Sequence, residues 1–293
     1  MTVAEKGSLR SAARSLSISQ PALTQSIREL ERELGVSLFE RHARGVTLTP
    51  AGTILLRRAT VIVNELRRTQ EEIDQLQGGL QGTVVVGLSV VAHIVFLPTA
   101  LPAFQKKFPQ VRLRIIEGTY PAIESRLRDG SIDFYVGPAP DHPIPREFTL
   151  EKLFDNSRAI LARRGHPLAG VKTLAGLMHA DWMTTGITEK ADAEFAAFFA
   201  RHGLPMPRIT VQSESLLTMT TTLASTDTLV ITARQIGDLP GLRSSVTIID
   251  VDESFPAPPI VVIQRASLPL TPAADHLCNA LRRAGAAYAR TQP

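Results

Sequence analysis

The sequence predicts a multidomain α+β fold: an N-terminal winged helix-turn-helix, a long linker helix and a C-terminal two-lobed α/β domain. Three patterns carry that expectation. Residues 9–34 hold two helical faces joined by a short polar break. Residues 55–80 hold a heptad-like apolar repeat. From Gly82 onward, short apolar strands alternate with amphipathic helices, which is the pattern of a parallel sheet. The chain of 293 residues is longer than one ordinary core supports, and 44% hydrophobic residues suffice to build more than one.

In the first segment Leu9, Ala12, Ala13 and Leu16 fall at helical spacing. Ser17-Ile18-Ser19 interrupts them, and Leu23, Ile27, Leu30 and Leu34 then mark one face of a second helix. Ser19 is a good N-cap, Pro21 suits a first turn where its missing N–H costs nothing, and Gly35 is placed to end the helix. Two short helices with so brief a connection form a helix-turn-helix. Two extended runs, Leu38–Phe39 and Val46–Leu48, flank Arg41, His42, Arg44 and Gly45, which reads as a small hairpin with a basic tip.

Thr49 can cap the next helix, with Pro50 at its start. A helix from Pro50 to about Gln77 would be roughly 40 Å long at about 1.5 Å per residue. Leu55, Ala59, Ile62, Leu66, Thr69, Ile73, Leu76 and Leu80 alternate steps of four and three, a seam suited to a second copy of the same helix. Arg57, Arg58, Arg67, Arg68, Glu71 and Glu72 are expected on the other faces.

Beyond Gly78-Gly79 the pattern reads βαβαβ: strands at TVVVGLS, VRLRIIEGT and IDFYVGP, with helices at LPTALPAFQKKF and AIESRLRDG. A second set follows, with strands near Trp182–Thr185, Ile209–Ser213 and Leu229–Thr232, and helices at Glu189–His202 and Ser215–Ala224. A strand at Ile260–Gln264 and a helix at Pro272–Ala289 close the chain. The expected boundaries are 1–50 for the helix-turn-helix, 50–80 for the linker and 82–293 for the α/β domain. Within the last, lobe I takes 82–162 and 266–293, lobe II takes 163–265, and the chain crosses near Ala162–Arg164 and Gln264–Ser267.

Net charge is +4, and from Met1 to Arg58 nine Lys and Arg face five Glu, so the N-terminal fifth carries an excess as large as the whole chain's. That is the electrostatic footprint of a nucleic-acid-facing end. The lone Cys278 excludes an internal disulfide and fits a reducing compartment, where it reads as a small core residue. The longest apolar stretch, Val84 to Leu97, contains Ser89 and His93 and falls short of the ~20 residues of a spanning helix. Glu5, Lys6, Arg10 and Arg14 leave no apolar run for a leader, so a cytoplasmic location is expected, with no membrane partner. An enzyme is the weaker alternative. The histidines have no metal-ligand spacing, and GxSxG, P-loop and GxGxxG signatures are absent. A transport-type solute-binding protein is a third reading, opposed by the helix-turn-helix and the missing leader.

The segment Gly7–Gly52, GSLRSAARSLSISQPALTQSIRELERELGVSLFERHARGVTLTPAG, resembles the LysR-type transcriptional regulators. Its core elements are SxxxAAxxLxxSQPALxxxIxxLExxLGxxLFxR and LTxAG. Leu97-Pro98, FxxxFPxV at Phe104–Val111, LxxGxxD at Leu127–Asp133 and GHPLA at Gly165–Ala169 extend the likeness along the chain. One departure is the start, where only Thr2 to Lys6 remain of the family's first helix. The resemblance implies a homodimer through the linker helix, assembled into a homotetramer. It implies an effector domain similar to the periplasmic-binding-protein fold, and a promoter controlled by a small-molecule co-inducer. Double-stranded promoter DNA is the expected partner, with RNA polymerase a further one, and no cofactor is expected.

In a helix-turn-helix the start of the second helix enters the major groove. Gln20, Thr24, Gln25 and Arg28 lie off its apolar face; Gln can pair with adenine and Arg with guanine. Ser17 and Ser19 suit phosphates, and Arg41, His42 and Arg44 suit the backbone or minor groove. The competing reading is a solvated polar helix face. In open α/β sheets, ligands bind beyond the carboxyl ends of strands. That rule selects Ser89, Val90, Val91, Thr119 and Pro138 in one lobe, and Thr184, Thr185, Ser213, Ser215 and Thr232 in the other. Glu214 is the only charge near them. Hydroxyls and helix starts suit a carboxylate or sulfonate, although Ser89 and Ser215 also serve as plain helix caps.

Overall fold

The computed structural model describes residues 1–42, 45–76 and 81–291, with the side chain of Lys190 left aside. Helices α1 (Thr2–Lys6), α2 (Leu9–Ser15) and α3 (Gln20–Leu34) precede a two-stranded hairpin, β1 (Phe39–His42) and β2 (Gly45–Leu48). Local chemistry sets each boundary. The Ser8 hydroxyl caps α2 by accepting from the Ser11 N–H, and the Ser19 hydroxyl caps α3 by accepting from the Ala22 N–H at 3.2 Å. Gly35, at φ 68°, ends α3 in a left-handed conformation that favours glycine. The Glu31 carboxylate accepts from the Leu38 and Phe39 N–H groups at 2.7 and 3.3 Å, tying the hairpin root to α3. Val3, Ala12, Ala13 and Leu23 form the small core.

The Thr49 hydroxyl accepts from the Gly52 N–H at 2.9 Å and starts the long helix α4 (Pro50–Leu76). At Gly52 a Cβ would lie 2.0 Å from the Leu38 carbonyl oxygen, so the helix touches the hairpin root through bare backbone. Gly52→Ala should therefore destabilise the N-terminal unit by roughly 1–3 kcal/mol, the usual cost of overpacking. Thermal unfolding followed by circular dichroism checks this; an unchanged midpoint would remove the close approach.

The α/β domain contains β3 (Gly82–Leu88), α5 (Val90–Lys107), β4 (Val111–Glu117), α6 (Tyr120–Arg128), β5 (Phe134–Pro138) and β6 (Phe148–Arg163). It continues with β7 (Trp182–Thr184), α7 (Glu189–Ala200), β8 (Ile209–Gln212), α8 (Leu216–Ser225), β9 (Leu229–Ala233), β10 (Val246–Ile249), β11 (Pro256–Arg265) and α9 (Pro272–Ala289). In lobe I, β4, β3 and β5 run parallel and β11 adds antiparallel to β5. In lobe II, β8, β7 and β9 run parallel and β9 pairs antiparallel with β6.

The lobes meet differently from the expectation. The 16-residue strand β6, and β10 beside it, have no counterpart in the elements read from the sequence. β6 pairs with β11 from Phe148 to Ser157 and with β10 up to Arg163, so it serves both lobes. Phe154 belongs to the lobe I core and Ile160 to the lobe II core; Phe255, just before β11, belongs to lobe II and Ile260, on it, to lobe I. The crossings thus lie within 155–159 and 256–259, not at Ala162–Arg164 and Gln264–Ser267. Two long strands pass from lobe to lobe without a break, their pairing irregular between Ala257 and Val261. α5 also begins seven residues before LPTALPAFQKKF, since Val90–Phe96 reads equally as strand or buried helix.

Arg68 is a further correction. It is not on an outward polar face but 5% exposed, seated against lobe I. Its guanidinium donates to the carbonyls of Gly130 (2.9 Å) and Ile132 (3.1 Å) and pairs with Asp133 at 2.8 Å. Around it, Asn64 donates to the Asp129 carbonyl at 2.9 Å, Glu65 pairs with Arg265 at 2.7 Å, and Gln75 accepts from the Ala273 N–H at 3.0 Å. One side of α4 is thus bolted to lobe I. Ile62, Leu66, Ile73 and Leu76, on the seam, are exposed, whereas Leu80 lies outside the described residues. No helix among the described residues is long and apolar enough to cross a membrane.

Candidate functional site

Two regions gather the residues selected above. The first is the outward side of α3. Gln20, Thr24, Gln25 and Arg28 share one open concave face with Arg41 of the hairpin, so hairpin and helix present a single polar surface. Neither Arg28 nor Arg41 has an ion-pair partner among the described residues. Gln25 donates to Glu29 at 2.7 Å, an exposed bond that a nucleic-acid base could replace. Ser17, at φ 55°, stands in the turn between the helices, and Ser19 accepts the cap bond with its proton left free to donate. His42 meets the Thr47 hydroxyl across the hairpin at 2.9 Å. Arg44 lies outside the described residues.

The second region is a cleft of about 590 Å³ between the lobes. Ser89, Val90, Val91, Thr119 and Pro138 line it from lobe I, and Thr185, Ser215 and Thr232 from lobe II. Thr184 and Ser213 are not among its lining residues. The Thr184 hydroxyl donates to the Gly186 carbonyl at 3.0 Å, and the Ser213 hydroxyl accepts from the Ser215 N–H at 3.2 Å. Both bonds shape loops, Thr184 as donor and Ser213 as acceptor. Sequence reasoning missed Glu117, Gly118, Leu216, Met219 and Ile236 on the lining. Glu117 ends β4 and Gly118 directly follows it, so the strand-end rule that selected Thr119 extends to them.

Three helices begin at this cleft. Ser89 caps α5 by accepting from the Ala92 N–H at 3.3 Å, and Ser215 caps α8 by accepting from the Thr218 N–H at 3.3 Å. Thr119 precedes α6 without a capping bond, which leaves its hydroxyl available. Each helix start carries roughly half a positive charge and unpaired N–H groups, a setting that favours an anionic group. Cys278 is buried in the lobe I core, and burial pushes its thiol up to about 12, which disfavours the thiolate that exchange chemistry needs.

Comparison with known proteins gives these two regions a context. Residues 1–53 match the family described as bacterial regulatory helix-turn-helix protein, lysR family, and residues 77–286 match the LysR substrate binding domain. The transcriptional regulator GbpR of Azospirillum brasilense is 29% identical over 96% of this chain and 83% of its own length. GalR of Pseudomonas putida is 32% identical over 78% of this chain and 58% of its own. The full-length CbnR structure with its target DNA superposes with a TM-score of 0.67 at 22% identity, covering 97% of this chain and 96% of that one. The substrate-binding match alone spans well over half of the sequence, and the chain belongs to the LysR family of DNA-binding transcriptional regulators.

Proposed function

We propose that this regulator grips double-stranded promoter DNA with Gln20, Thr24, Gln25 and Arg28 in the major groove. Ser17, Ser19, Arg41, His42 and Arg44 hold the phosphates or the minor groove. It works in the cytoplasm as a homodimer joined along α4 and assembled into a homotetramer, with RNA polymerase as a further partner. A small organic molecule seated between the lobes, presenting a carboxylate or sulfonate to the helix starts, adjusts promoter binding or activation. The observation that carries the DNA reading is the unpaired Arg28 and Arg41 on one face with three amide and hydroxyl side chains. The cleft at three helix starts supports the effector reading.

A mobility-shift titration with the promoter fragment upstream of its own gene tests the first part. Because phosphate contacts release counterions, affinity should fall steeply, by about 10³-fold or more, between 50 and 200 mM salt if six or more phosphates are neutralised by the dimer. A flat salt response would remove the phosphate contacts. Arg28→Ala should cost about 1–3 kcal/mol on the promoter alone if Arg28 reads a guanine. Equal weakening on unrelated DNA would demote Arg28 to a phosphate contact, and no change on either would take it out of the interface.

A further inference from the structure

The inter-lobe cleft holds more than hydroxyls and helix starts. Glu117, ending β4 in lobe I, and Glu214, just before α8 in lobe II, both line it, and both are exposed to it without a side-chain partner among the described residues. None of the residues lining the cleft is Lys, Arg, His, Phe, Tyr or Trp. Thr232 is only 9% exposed, lines the same space, and its hydroxyl has no hydrogen-bond partner among the described residues. An unpaired hydroxyl on an otherwise buried side chain that opens into the cleft is available to a ligand.

Charge and shape narrow the ligand. Three helix starts contribute roughly half a positive charge each, and the two carboxylates together oppose them. A plain anion would reach the helix starts only beside two unneutralised carboxylates with no cation in reach. An aromatic ligand or a sugar would find no ring to stack on. Leu216, Met219 and Ile236 offer an aliphatic wall instead. We propose, building on the cleft as the effector site, that the effector is an aliphatic zwitterion resembling an amino acid. Its ammonium group sits between Glu117 and Glu214, and its carboxylate meets the helix starts at Ser89, Thr119 and Ser215. Since Glu117 and Glu214 belong to opposite lobes, an ammonium group between them replaces their mutual repulsion by two attractions and draws the lobes together.

The test uses the full-length protein and matched probe series. The aliphatic L- and D-α-amino acids from alanine to leucine are each set beside the carboxylic acid lacking the amine and the amine lacking the carboxylate. Galactose and benzoate are included as a polyol and an aromatic acid. Thermal shift ranks the probes and calorimetry measures the best of them. The expected result is that one or more amino acids bind at least about tenfold more tightly than either truncated partner, and lose at least about tenfold in Glu117→Gln/Glu214→Gln. Thr119→Trp, at an exposed position with no capping bond, fills the cleft and should abolish binding, with circular dichroism confirming the fold. Acids, galactose or benzoate binding more tightly than the amino acids, or tightening in the double Gln variant, would overturn the zwitterion; loss of that binding in Thr119→Trp would leave the cleft as the site. Binding unaffected by Thr119→Trp would overturn the cleft reading itself. Silence from every amino acid in the series overturns the zwitterion as well.

Discussion

Arg68→Ala is expected to cost roughly 3–5 kcal/mol of folding stability, the usual penalty for stripping one partner from a buried ion pair. Arg68 and Asp133 are 5% and 3% exposed, and their contact of 2.8 Å joins the linker helix to lobe I. The Asp133 carboxylate also accepts from the Val85 N–H at 2.7 Å, at the start of the central strand of lobe I. Burial pushes the Asp133 carboxyl above its ordinary range; Arg68 and the Val85 N–H pull the other way. With Arg68 gone, burial is opposed chiefly by a single N–H. A carboxyl whose folded pKa is raised favours folding only while it can be protonated, and that contribution is lost as pH rises through the folded pKa. The deficit of Arg68→Ala should therefore be small in acid and grow toward neutral pH. Chemical denaturation at several pH values measures it. Arg68→Met/Asp133→Leu, which removes both charges, should recover only part of the loss, because the Val85 N–H and the Gly130 and Ile132 carbonyls then lose their partners. A single-variant deficit below about 0.5 kcal/mol at pH 7 would show that the pair is not holding the helix, since surface substitutions stay within that range.

The same contact marks where the sequence stops being informative. Ser19, Pro21 and Gly35 act within a few residues of themselves, so the ends of α3 could be read directly from chemistry. Thr49, Pro50 and Pro272 do the same for α4 and α9. Arg68 sits at a position where helical periodicity predicts solvent, and its partners come from 62 and more residues away. No local pattern announces that an arginine will be roofed over by lobe I. Strand β6 was hidden for a related reason. Asp155, Asn156 and Ser157 look like a turn, but this is where the strand leaves one lobe for the other, its backbone satisfied by β11 and, beyond, by β9. The cleft was legible through the strand-end rule, which found eight of its lining residues. Thr184 and Ser213 satisfy the same rule yet lie outside the lining, because the local turns that orient a hydroxyl are not visible to the rule.

Ile62→Asp/Leu66→Asp should leave each chain folded but separate it from its partner and abolish tight promoter binding. Both side chains lie on the seam of α4 and are 67% and 59% exposed in the single chain, so a carboxylate there meets water and strains nothing. Their apolar surface, continued by Ile73 and Leu76, forms a long stripe left uncovered among the described residues of the linker, and a second α4 is the surface that would match its repeat. Within such a pair, four carboxylates would be brought into an apolar seam without partners, each costing several kcal/mol, enough to dissociate the helices. The functional loss follows from geometry. In the proposed dimer, two heads joined through α4 would bind two half-sites as one event, and linking two modules raises affinity by about 10²–10⁴ without a new contact. Light scattering should show the particle mass fall while circular dichroism and the thermal midpoint of the α/β domain hold. Mobility shift should then show promoter affinity lower by a factor in that range, with residual salt-dependent binding by single heads. An unchanged mass would place the interface elsewhere on the chain. A fallen mass with unchanged promoter affinity would mean that each head binds its site alone.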